Sequence, residues 1–278
     1  MRANYHTHTP RCRHAVGSER EYIEQAIEAG MEILGFSDHT PYPFPDGHDS
    51  GWRMFLHQAD DYFQTLTDLK KEYAGQIELH IGVEAEYYPS CFAAMVENLR
   101  QYPCEYMILG QHFLENEDTG EYTGRRMSRP DQLTRYVDQV LAGLSTGLFL
   151  YPAHPDLLHW TGDPALYRQE MKRLCQEVKF MGYPLEINFL GLYDHRNYPC
   201  EAFWQIAGEV GNTVIFGVDA HEPEALNRPE VEAQAKALAV KYHLHAAETL
   251  VPPVGRGLAP AVGAPRSGGG CIESAILK

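Results

Sequence analysis

At 278 residues with 44% hydrophobic side chains, the chain can bury one large α/β core or two small ones without disulfide support. Its formal net charge of −15 would repel a phosphate backbone over most of the surface, which argues against nucleic acid as a habitual partner but not against a small phosphorylated molecule held by bound cations. No stretch approaches the roughly 18 apolar residues of a membrane span. The start MRANYHTHTP lacks the basic and apolar regions of a secretory leader, and the six cysteines form neither a close pair nor a CxxC ladder, so a reduced, cytoplasmic setting is expected.

The predicted elements alternate along the chain. A short β-leaning run at 4–6 leads to a helix over 18–29, capped by Ser18 with Glu21 three residues on and closed by Gly30. Then follow strand 33–37, helix 60–73, strands 78–83 and 106–109, helix 130–144, strand 148–152, helix 164–180, strand 184–187, helix 200–209, strand 214–218 and helix 229–242. Seven strands joined by crossovers predict a parallel sheet, and with no break in composition the economical closure is one distorted, TIM-like β/α barrel in a single domain over 1–248. From about Val251 the texture turns to PPVGRGLAPAVGAPRSGGG, so 249–278 is expected to be a flexible Gly/Pro-rich tail.

His6 and His8 lie two apart on the first predicted strand, so both side chains leave the same face and can reach one ion. A single HxH is equally an ordinary core or turn pair; the recurrence of such residues at strand ends is what distinguishes this one. Asp38 and His39 end the second strand, Glu84 the third, His112 the fourth, His154 the fifth, and Asp219 with His221 the seventh, again two apart. In a parallel barrel these ends converge on one mouth. Neutral imidazoles with a few carboxylates suit zinc, manganese or iron better than calcium or magnesium, and the set exceeds the needs of one tetrahedral ion. Two or three divalent ions with Glu84 as a bridging carboxylate accommodate it. Metals about 3.5–4 Å apart can deprotonate a bridging water and hold substrate oxygens, which is hydrolytic chemistry, most naturally of a phosphate ester.

The motifs HTHTPRCRH from His6 to His14, GFSDH ending at His39, GVEAE around Glu84, ILGQH ending at His112, AHPD around His154 and GVDAH ending at His221 resemble the PHP (polymerase and histidinol phosphatase) superfamily, in its stand-alone histidinol-phosphatase branch. The resemblance implies a distorted seven-stranded barrel with a trinuclear metal site that hydrolyses phosphomonoesters, here L-histidinol phosphate, by a metal-bridging hydroxide. It implies that His6, His8, Glu84 and Asp219 share one metal, that Glu84 bridges to a second held by His112 and His154, and that His14, His39 and His221 hold a third. Glu84, Asp219 and His221 would stand closest to the chemistry. His14 enters only through the resemblance, since its own surroundings read as a loop.

In LEINFLGLYDHRNYP, Arg196 is the candidate for gripping phosphate, because a guanidinium fork matches phosphate oxygens; the competing reading is a solvated loop arginine. Arg125, Arg126 and Arg129 form a basic cluster after the fourth strand that could grip phosphate from a mobile loop, although a solvated surface is the favoured reading. Glu86, Asp38 and Asp156 read as outer hydrogen-bonding groups that orient the ligands. His48, His57, His80, His159, His195, His243 and His245 read as surface or core histidines. The rival functions are a PHP phosphoesterase for another phosphomonoester and an accessory domain that binds metal only for stability.

Overall fold

The computed structural model describes residues 1–44 and 47–252. Parallel strands β1 (Ala3–Asn4), β2 (Ile33–Phe36), β3 (Glu78–Ala85), β4 (Tyr106–Leu109) and β5 (Phe149–Pro152) pair in chain order as one five-stranded sheet. Strands β6 (Leu185–Asn188), β7 (Thr213–Gly217) and β8 (His245–Ala246) form a second, three-stranded parallel sheet. The connections carry α1 (Glu19–Glu28), α2 (Ala59–Glu72), α3 (Phe92–Leu99), α4 (Pro130–Ser145), α5 (Pro164–Met181), α6 (Phe189–Tyr193), α7 (Glu201–Val210) and α8 (Pro229–Lys241). The result is an α/β fold built on a curled parallel sheet. No helix among the described residues is long and apolar enough to cross a membrane.

Local chemistry explains most element ends. The Ser18 amide donates to the Glu21 carboxylate at 2.6 Å, and the Ser18 hydroxyl accepts from the Glu21 amide at 3.4 Å, closing the expected capping box of α1. Helices α4 and α5 open on proline, and α5 closes on Gly182 at φ 81°. The structure also has elements the sequence reading did not contain. Helix α3 buries Phe92, Met95, Val96 and Leu99, an i, i+3, i+4, i+7 stripe too short to stand out from its loop. Strand β8 is a two-residue addition to β7, and α6 is a single turn capped by the Asn188 side chain.

The ladders divide into five strands and three instead of running through seven. Among the described residues no ladder joins β5 to β6. A side chain spans that seam, the His154 amide donating to Glu186 Oε2 at 2.8 Å where a neighbouring backbone would otherwise accept. One buried cluster holds Tyr5, Tyr106, Ile108, Tyr151 and Ile215, residues from β4, β5, β7 and the end of β1, while a larger core packs the helices against the outside. Tyr5 accepts from the Leu250 amide at 2.9 Å and donates to the Leu250 carbonyl at 2.7 Å, so the expected tail boundary at 249 falls on a stretch tied to the fold. The rest of that tail, 253–278, lies outside the described residues.

Candidate metal centre

Every candidate ligand but His14, which follows a 3₁₀ turn (Pro10–Cys12), lies just beyond or at the C-terminal end of a strand. Beyond β1 the chain stays extended, and a parallel bridge from Thr7 to Ala220 sets His6 and His8 beside Asp219 and His221, which follow β7. A second bridge joins His39, after β2, to Glu84 in β3. His112 follows β4 and His154 follows β5.

Glu84 stands at the centre. Its Oε2 lies 3.5 Å from the Nε2 of both His6 and His8 and 3.1 Å from His39 Nδ1. Its Oε1 lies 3.0 Å from His154 Nε2 and 3.6 Å from His112 Nε2. One carboxylate thus faces two sets of imidazoles with two oxygens. Asp219 Oδ1 approaches His6 Nε2 at 3.4 Å, His8 Nε2 at 3.1 Å and His221 Nδ1 at 3.4 Å. His14, His39 and His221 offer ligand atoms that all lie within 4.8 Å of one another. The histidine that sequence reasoning alone treats as a loop residue is therefore in the cluster, returned to it by a left-handed Arg13 at φ 72°.

A second layer holds these groups. Glu186 Oε1 is 2.8 Å from His6 Nδ1, and Glu86 Oε1 is 3.0 Å from His112 Nδ1. Asp38 lies 3.4 Å from His8 Nδ1 and accepts from the Thr9 hydroxyl. Such partners fix which imidazole nitrogen faces inward. Arg53, 2% exposed, binds Glu86 through both terminal nitrogens at 3.1 and 3.0 Å, and Glu117 through Nε at 2.9 Å. Sequence reasoning missed Glu186 and Arg53. Glu186 had a signal, an acid inside the strand LEIN, whereas Arg53 had none.

Space at the site is rationed by glycine. A Cβ on Gly110 would collide with Glu84 Oε1, and one on Gly217 with Glu186 Oε1. His154 and Asp219 hold positive φ angles of 29° and 55°, a conformation costly for side chains other than glycine and characteristic of functional positions.

The donor set fits divalent cations. His6 Nε2, His8 Nε2, His39 Nδ1, Glu84 Oε2 and His221 Nε2 are buried without a hydrogen-bond partner. Each such atom ordinarily costs about 1–3 kcal/mol, so their concentration at one point calls for another interaction. Burial alone would lower the His6 pKa, yet Asp219, Glu186 and Glu84 outweigh it and hold it well above its ordinary value. Burial would raise Glu84, yet His39, His112 and His6 keep it well below the usual carboxylate range. This negative field attracts cations of any kind. His39 goes the other way: burial lowers it against the pull of Glu84, and His8, His112 and His14 reinforce the fall. Cys12 also approaches His8 and His221, but burial and Asp38 push its thiol up, which keeps the sulfur protonated.

A cleft of about 280 Å³ opens over the cluster, with Trp52, Phe113 and Tyr122 among its walls and Arg196 at its edge. Arg196 donates to Asp194 at 2.9 Å and to the Tyr198 hydroxyl at 3.1 Å. Arg125 and Arg126 are exposed, and Arg129 pairs with Glu121 and Asp131, in keeping with a solvated cluster. His195 is exposed.

Residues 4–189 match the PHP domain family model. A protein named probable histidinol-phosphatase from Deinococcus radiodurans is 31% identical over 232 residues, covering 78% of this chain and 85% of that one. The histidinol-phosphatase of Bacillus subtilis is 32% identical over 122 residues, 41% of this chain and 45% of that one. The fold is similar to that of the histidinol phosphate phosphatase of Lactococcus lactis, solved with zinc, L-histidinol and phosphate, at a TM-score of 0.69 and 19% identity over 93% of this chain and 98% of that one.

Proposed function

The chain belongs to the PHP domain family, and from that premise we propose that it is a metal-dependent phosphomonoesterase that hydrolyses L-histidinol phosphate to L-histidinol and phosphate, within histidine biosynthesis. The observation that carries the chemistry is Glu84, whose two oxygens address separate groups of imidazoles. Glu84, His6, His8 and Asp219 would hold one ion, Glu84 with His112 and His154 a second, and His14, His39 and His221 a third. His39 lies 3.1 Å from Glu84 and also within the His14 and His221 set, so it borders both the first and the third position.

Bound divalent ions, zinc first, with manganese or iron as alternatives, would lower the pKa of a water and neutralise phosphoryl oxygens as charge develops on them. The protein supplies the rest. Glu186, Glu86 and Asp38 aim the imidazoles, and the buried floor keeps the site in a low dielectric where each charge counts for more. Arg196 would grip a non-bridging phosphoryl oxygen from the rim. The water oxygen bonds to phosphorus as the phosphorus–alkoxide bond breaks, and the proton lost by water ends on the departing alkoxide. The substrate carries an amine and an imidazole, which suits a chain of net charge −15.

We also read the two sheets as one distorted seven-stranded barrel, β1 to β7, within a single domain over 1–248. Support comes from the Thr7–Ala220 bridge and from an inner cluster with side chains of both sheets. Cys12, Cys91, Cys104, Cys175 and Cys200 are free, in keeping with a reduced, cytoplasmic setting.

The test is phosphate release from L-histidinol phosphate against a panel of other phosphomonoesters, before and after dialysis with a chelator. A clear preference for histidinol phosphate, lost on chelation with the circular dichroism retained and restored by zinc or manganese, is expected. Preference for another ester would keep the metal chemistry and replace the substrate. Unfolding on chelation, in a protein never seen to turn over, would favour a structural metal. Arg196→Ala should lower kcat/KM about 10–100-fold, the weight of hydrogen bonds to a charged group. Arg196→Lys should recover only part of it, since an ammonium cannot reproduce the fork.

A further inference from the structure

The metal cluster accounts for the floor of the cleft and Arg196 for the end near His154, where the Tyr198 and His154 rings lie 5.8 Å apart. The end near His14 has no role so far, and it is made of aromatic rings. Trp52 stacks on Tyr122 at 5.7 Å and 24°, meets Phe113 edge-on at 6.4 Å, and stands edge-on to His14 at 6.0 Å. Phe113 and Tyr122 lie 5.6 Å apart. Trp52 is also 49% exposed, so its ring borders the open cleft and is not closed off by the fold.

These rings are held in position. Phe113 and Tyr122 face each other across an antiparallel bridge that starts one residue after His112, with the Leu114 amide donating to Glu121 at 3.0 Å and the Thr123 amide to His112 at 2.8 Å. Trp52 immediately precedes Arg53, whose guanidinium is locked between Glu86 and Glu117. Two long connections, one after β2 and one after β4, thus deliver rigid aromatic faces to the rim of a charged site. Such faces recognise flat rings, and cationic ones best.

We propose that Trp52, Phe113 and Tyr122 form the subsite that receives a flat, protonatable heteroaromatic ring on the alcohol half of the phosphoester. This rests on the reading of the chain as a phosphomonoesterase. The reacting phosphoryl group lies over the metal ligands and the ring stacks beside Trp52. Selectivity then comes from a wall that makes no contact with the transferred phosphoryl group, and it appears in KM.

The experiment compares kcat and KM for L-histidinol phosphate and for ring-free O-phosphoethanolamine in the wild type, Trp52→Ala and Trp52→Phe. The selectivity ratio of kcat/KM should fall about five- to tenfold in Trp52→Ala, mostly through KM for the ring-bearing ester, and Trp52→Phe should keep most of it. An unchanged ratio in Trp52→Ala overturns the subsite. A parallel titration of L-histidinol against indole fluorescence separates the two readings. Saturable quenching in the wild type that Trp52→Phe lacks supports the subsite even where neither ester is cleaved, in which case it is the phosphatase reading that falls. Absence of saturable quenching in the wild type overturns the subsite.

Discussion

Glu84→Ala should reduce phosphomonoester hydrolysis by at least about 10³-fold, the rate equivalent of several kcal/mol of lost charge stabilisation. No other side chain in the cluster touches so many candidate ligands: five imidazoles approach its two oxygens within 3.6 Å. Its loss removes the shared anion and leaves His6, His8, His39, His112 and His154 facing one another, so the metal content measured on the purified variant should fall with the rate. Glu84→Gln keeps the shape but not the charge, and an amide nitrogen would point at one of the two imidazole sets. It should therefore lose activity almost as completely while melting closer to the wild type. Aspartate is no remedy, because the cavity opposite Gly110 is shaped for a glutamate that reaches the middle of the cluster. Wild-type turnover and metal content in Glu84→Ala would rule out a bridging role.

Glu84 also marks what a sequence can disclose. Its place follows from strand periodicity and from the rule that parallel strands converge at their C-terminal ends, and the same reasoning reaches His6, His8, His39, His112, His154, Asp219 and His221. All of these are fixed by their own strand. His14 is not: it lies after a turn of 3₁₀ helix (Pro10–Cys12), and only a left-handed residue at Arg13 brings it back, a detail of backbone geometry that composition does not encode. The resemblance to a known family supplied it. The break between β5 and β6 was hidden for a related reason, since the group that spans it is a Glu186 side chain, and hydrophobic pattern reports burial but not which hydrogen bonds are made. Arg53 lies 33 residues from Glu86 and 64 from Glu117, with nothing local in GWRMF to announce a buried cation.

That buried cation leads to the largest stability effect expected. Arg53→Met should cost about 3–5 kcal/mol, because it deletes one partner of a buried ionic network and leaves carboxylates behind without their counter-charge. Arg53 gives Glu86 a bidentate contact, holds Glu117, and donates to the Thr40 carbonyl at 3.1 Å, all out of contact with water. For a chain of this size the loss corresponds to a fall in Tm of roughly 5–9 °C. The cost belongs to the stranded charge more than to the missing side chain, so combining Arg53→Met with Glu117→Gln should recover part of it. A double-mutant cycle with clear coupling is therefore the expected result, and strict additivity would refute the network. The same variant bears on the metal site. Glu86 freed from Arg53 no longer presents a fixed acceptor to His112, and loosening such an orienting contact typically lowers metal affinity about 10–100-fold. Metal titration of Arg53→Met below its melting range should show that loss, whereas unchanged affinity would confine Arg53 to stability alone.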